Sequence, residues 1–125
     1  MSTKWTFVRV VYRDKKGEEP VKDFLMELQR RRDSDKRMRV LSDKILVYIR
    51  VLQEYGTRAG MPYMKHLEGD LWELRPLHER ILFFAYIDGR FVLLHHFRKK
   101  TQKTPKKEME CAKRRMEDYL ERQGK

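Results

Sequence analysis

The stretch LWELRPLHERILFFAYIDGRFVLLHHF, residues 71–97, decides the fold. It holds three runs rich in branched and aromatic side chains, 71–75 (LWELR), 80–87 (RILFFAYI) and 91–97 (FVLLHHF), and each reads as a strand. Residues 76–79 separate the first pair. Asp88-Gly89 separates the second, the strongest two-residue hairpin signal a sequence can carry. A β-meander is expected here.

Upstream, residues 5–12 (WTFVRVVY) read as another strand, closed by the turn-like DKKG at 14–17. Glu18, Glu19 and Pro20 then open a helix, since proline suits the first helical position and acids suit the positive end of the dipole. Val21, Phe24, Leu25 and Leu28 give that helix an apolar stripe, and Arg30, Arg31 and Arg32 suit its negative end. Asp33-Ser34-Asp35 is a polar break in which Ser34 or Asp35 can cap the next helix. There Met38, Leu41, Ile45, Tyr48, Leu52 and Tyr55 recur at spacings of three and four up to Gly56, a stop signal. The run is short for a coiled-coil dimer, so packing on the first helix as a hairpin is the preferred reading. Residues 56–62 read as a loop.

Downstream, residues 98–107 (RKKTQKTPKK) place six basic residues and no acid in ten positions. Thr104 and Pro105 look like N-cap and N1 of a last helix, with Met109, Ala112, Met116 and Leu120 on one face. The order is β-α-α-β-β-β-α. It predicts a single α+β domain over 1–125, two layers deep, with the helical hairpin on one face of an antiparallel sheet.

Composition bounds the function. With 125 residues, 40% of them hydrophobic, the chain can bury one modest core without metal or disulfide. Lys and Arg number 30 against 19 acids, a net charge of +11, so nucleic acid is the expected partner. No segment pairs a broad apolar face with a basic one, and none approaches 18 apolar residues, so no membrane association is expected. Cys111 is the single cysteine; it fits a reducing, cytoplasmic compartment and reads as a small, half-buried hydrophobe.

Two motifs carry a resemblance. The run K-x-L-x-G-x-LWELR from Lys65 to Arg75, with Arg80 and its apolar strand, and LLHHFRKKTQKTP from Leu93 to Pro105 resemble the phage-derived HigB group of the RelE/ParE toxin superfamily. The resemblance spans residues 5–119. It implies a RelE-like fold and a ribosome-dependent mRNA endoribonuclease that needs no cofactor and inhibits translation. It also implies the ribosome and mRNA as partners, and a helix-turn-helix, HigA-like antitoxin that neutralises the toxin.

Metal-free RNA cleavage requires a base for the ribose 2′-OH, cations for the phosphorane charge and an acid for the leaving 5′-oxygen. The resemblance places phosphate-gripping cations at Arg75 and Arg80, whose guanidinium forks suit a phosphate; the plain alternative is ion pairing with Glu73 and Glu79. Glu73 shares a strand face with Arg75 and reads as a base or as an orienting group for that arginine. His95 occupies the histidine of the group's H-x-F-x-KK run and suits proton transfer. His96 must point to the other face, so the two cannot chelate one metal. Lys99 and Lys100 are candidates for transition-state stabilisation, and Lys65, Arg98 and Lys103 for RNA binding. Tyr119 reads as core, which leaves Tyr86, Phe97 or a ribosomal base for stacking on the mRNA base. Two rivals remain: a ParE-like gyrase binder of the same fold, and a basic nucleic-acid-binding module.

Overall fold

The computed structural model describes residues 8–123. The chain runs through β1 (Val8–Val11), α1 (Pro20–Arg31), α2 (Lys36–Tyr55), β2 (Met64–Glu68), β3 (Leu71–Leu74), β4 (Glu79–Tyr86), β5 (Arg90–Arg98) and α3 (Lys106–Gln123). Trp5, Thr6 and Phe7, the start of the first expected strand, lie outside the described residues.

The helices begin and stop where local chemistry dictates. Pro20 occupies the first turn of α1. Asp35 caps α2, its carboxylate accepting from the backbone N–H of Arg37 at 2.9 Å and of Met38 at 3.4 Å. Gly56, at φ 66°, closes α2. The apolar stripes of the two helices meet as a hairpin: Val21 and Leu28 pack with Ile45, Tyr48, Ile49 and Leu52 over one face of the sheet.

Three expectations are corrected. The sheet has five strands in the order β1-β5-β4-β3-β2, because Met64–Glu68 pairs with β3 as an additional edge strand. Only Met64 of that strand is buried, so it lacks the apolar run that marks the others. The sheet is mixed rather than antiparallel, since β1 lies parallel to β5 at the opposite edge. And the fold has three layers: α3 covers the second face, where Ala112 and Tyr119 pack on Tyr12, Leu71, Leu82, Phe84, Val92, Leu94 and Phe97. The central run Ile81-Leu82-Phe83-Phe84 is buried throughout, as a strand covered on both sides requires.

Smaller differences are local. The β4–β5 connection is a three-residue turn, Ile87–Gly89, instead of a two-residue one. Tyr119 is core as expected, whereas Leu120 is 39% exposed and leaves the stripe. In β5 the register shifts by one: Leu82 faces His95 while Phe83 faces Leu93, so Leu94 is an extra residue, a β-bulge.

Candidate functional site

Glu73 is the centre of the site. It sits on β3, directly across from Leu82, on the face that α3 covers, and is only 4% exposed. A carboxylate so deep must be satisfied. Thr104 donates its hydroxyl to Oε1 at 2.9 Å, while Oε2 lies 3.6 Å from Nε of Arg75 and 4.0 Å from Nε of Arg80. Each oxygen thus has its own partners.

The two guanidiniums differ in freedom. Arg80 is buried, and its Nη1 donates to the carbonyls of Leu77 at 2.9 Å and Glu79 at 2.8 Å. Burial lowers its pKa, with Glu73 acting in the opposite sense. Arg75 lies past the end of β3, its side chain 18% exposed, with Nη1 3.1 Å from the sulfur of Met61. Arg75 therefore faces outward while Arg80 forms the floor.

The basic segment after β5 is fastened over this floor at both ends. The backbone N–H of Lys99 donates to the carbonyl of His78 at 2.6 Å, and Thr104 reaches Glu73. Between them the hydroxyl of Thr101 donates to the carbonyl of Lys103 at 2.8 Å, leaving Lys100 and Lys103 exposed. Lys65 on β2 is the register partner of Glu73 and is exposed at the sheet edge. Arg98 is not brought to this face: it pairs in register with Glu79, whose pKa is raised by burial against the pull of Arg98 and Arg80.

His95 and His96 do point to opposite faces. Because of the bulge, Leu94 and His95 both turn toward α3, and His96 stacks on Phe24 of α1 with ring centroids 4.0 Å apart. His95 Nδ1 lies 3.1 Å from Arg115 Nη1 and 3.6 Å from Cys111 Sγ, and Nε2 lies 2.8 Å from Glu108 Oε1. A guanidinium only donates, so Nδ1 accepts and the proton on Nε2 is donated to Glu108. Burial lowers the pKa of His95, opposed by Glu108 and assisted by Arg115. Phe97 is buried with its ring along that of His95, and Tyr86 packs edge-on to Tyr119, so both aromatic candidates are engaged internally.

Thr104, Glu108 and Arg115 were not candidates from the sequence. Thr104 was expected to cap α3. Instead the helix begins at Lys106, the carbonyl of Pro105 accepts from Glu108 and Met109, and the threonine hydroxyl turns to the sheet. The spacing of Glu108, Cys111 and Arg115 places them on one helical face, a signal legible only once α3 is known to lie over His95. Among the described residues, no group of three or more His, Cys, Asp or Glu is placed to hold a metal ion, and no helix is long and apolar enough to cross a membrane.

Residues 33–117, more than half of the chain, match the family described as Phage derived protein Gp49-like (DUF891). No match was found among curated proteins.

Proposed function

The chain belongs to the Gp49-like phage-derived protein family, a RelE/Gp49-type family of toxin–antitoxin toxins, and on that premise we propose that it is a HigB-like, ribosome-dependent mRNA endoribonuclease. Membership implies an antitoxin partner; the proposal adds a helix-turn-helix, HigA-like one, and the ribosome and mRNA as targets. The observation that supports it is the gathering of cations on one carboxylate: Arg75 and Arg80 within 4.0 Å of Glu73, beneath a segment carrying Lys99, Lys100 and Lys103.

Cleavage proceeds by attack of the ribose 2′-oxygen on the adjacent phosphorus, forming that P–O bond and breaking the bond to the 5′-oxygen. Arg75, turned outward, contacts the scissile phosphate, and Lys99 and Lys100 add charge against the phosphorane. Arg80 holds the floor and the field. Glu73, between the guanidiniums, takes the 2′-OH proton, and the leaving 5′-oxygen takes a proton from water. His95 has both nitrogens engaged, so its part is to fix the start of α3 over the sheet. Lys65 and Lys103 extend the grip along the RNA backbone.

The test is primer extension on a message during in vitro translation, wild type beside Arg75→Ala. Ribosome-dependent cuts within codons, reduced about 100-fold or more in the variant, are the expected result. Gyrase-linked DNA breaks would favour the ParE-like reading, and intact RNA with salt-sensitive binding would favour a nucleic-acid-binding module.

A further inference from the structure

We infer that Thr104 is a positioning residue for cleavage, acting through Glu73; the inference rests on the endoribonuclease reading above. Thr104 lies one residue outside the N-cap of α3: the carbonyl of Pro105 accepts the first helical bonds, and the helix begins at Lys106. Its hydroxyl donates to Glu73, 31 residues away in the chain, at 2.9 Å. That bond ties the segment before α3 to the centre of the site.

That contact has a specific geometric effect. A carboxylate can engage an arginine through one oxygen or through both. With Oε1 held by Thr104, only Oε2 is presented to the guanidiniums, at 3.6 and 4.0 Å, longer than close ion pairs. Glu73 is thereby prevented from turning both oxygens on Arg75 and closing a tight fork with it. Arg75 stays available to a phosphate, and Oε2 stays aimed at the space between the cations. The same bond fastens the lysine-bearing segment at its far end, the near end being fixed by Lys99 on His78. Carboxylate, guanidiniums and basic segment therefore keep one relative placement.

Removing the hydroxyl frees Glu73 to swing without removing any charge. The chemical step slows, while recognition of the ribosome, set by the lysines and by net charge, is retained. The experiment compares wild type, Thr104→Val, Thr104→Ala and Thr104→Ser as purified full-length proteins on programmed ribosomes. Single-turnover cleavage rate and half-saturating ribosome concentration are measured, with thermal melting to confirm folding.

Thr104→Val and Thr104→Ala should cut about tenfold or more slowly, with half-saturation changed by less than about twofold. Thr104→Ser, which keeps the hydroxyl, should recover to within about threefold of wild type. Should the valine variant not fold, the alanine and serine pair carries the comparison. Wild-type rates in the variants lacking the hydroxyl, a serine variant as slow as alanine, or a loss confined to half-saturation would each overturn the role of Thr104 alone. A wild type that cuts nothing on ribosomes would overturn the endoribonuclease reading, and this role with it.

Discussion

The two faces of the sheet are built from the same strands and do different work. The face under the α1–α2 hairpin is filled by Val21, Leu28, Ile45, Ile49, Leu52, Met64, Leu74, Ile81, Phe83 and Leu93, all buried. The face under α3 begins as an apolar core around Leu82, Phe84 and Leu94. Toward the end of β3 and the start of β4 it becomes a polar floor of Glu73, Arg80 and His95. Stability is concentrated on the first face and chemistry on the second. Adjacent residues show the division: His96 stacks on a phenylalanine, while His95 is held by a carboxylate, a guanidinium and a thiol.

The largest expected effect tests the first face. Phe83, fully buried, meets Phe91 edge-on at 5.6 Å. Phe83→Ala should cost about 3–5 kcal/mol in urea denaturation. A loss below about 1 kcal/mol would mean that the hairpin face is not the main store of stability.

The histidine pair gives the next effect. Burial pushes the pKa of His96 down from 6.5 to about 4, with His95 and Arg115 acting in the same direction and Glu108 against them. A native state that holds this ring neutral binds fewer protons than the unfolded chain. Its contribution is therefore present above about pH 6.5 and is lost as pH falls toward 4, amounting to about 1–3 kcal/mol. Thermal melting at pH 7 and 4.5 should show wild type losing more stability than His96→Gln. Equal losses would remove His96 from the account.

The smallest stability effect belongs to the second face. Arg75→Ala, the variant expected to cut RNA most poorly, should change unfolding free energy by about 1 kcal/mol, because its ion pair is long but Oε2 of buried Glu73 keeps only Arg80, at 4.0 Å, once it is gone. A large destabilisation would blur the contrast between the faces.

Much of the frame was legible in the sequence because it rests on local rules. Periodicity and end signals located α1 and α2, and alternation put Glu73 beside Arg75. The strand β2 escaped because an edge strand buries one side chain and reads as loop; the Gly69-Asp70 step before Leu71 was its only marker. The third layer was written in the unbroken run Ile81–Phe84, which demands cover on both faces, but α3's own stripe does not say which face it fills. The parallel pairing of β1 with β5 joins the two ends of the domain, and local signals do not reach so far. The same holds for Thr104 on Glu73 and Arg115 on His95. These bonds depend on how the segment after β5 folds back, which charge counting alone does not fix.

The extra residue in β5 separates two zones of one hairpin. Above it, Phe83–Tyr86 pairs with Arg90–Leu93 in a register governed by packing; below it, Glu79–Leu82 pairs with His95–Arg98 in a register of its own. Strict alternation from Phe91 would have sent His95 to the helical hairpin and His96 to α3. Leu94 works as a clutch: it lets the lower zone be re-cut, residue by residue, while the upper zone keeps turning with the core.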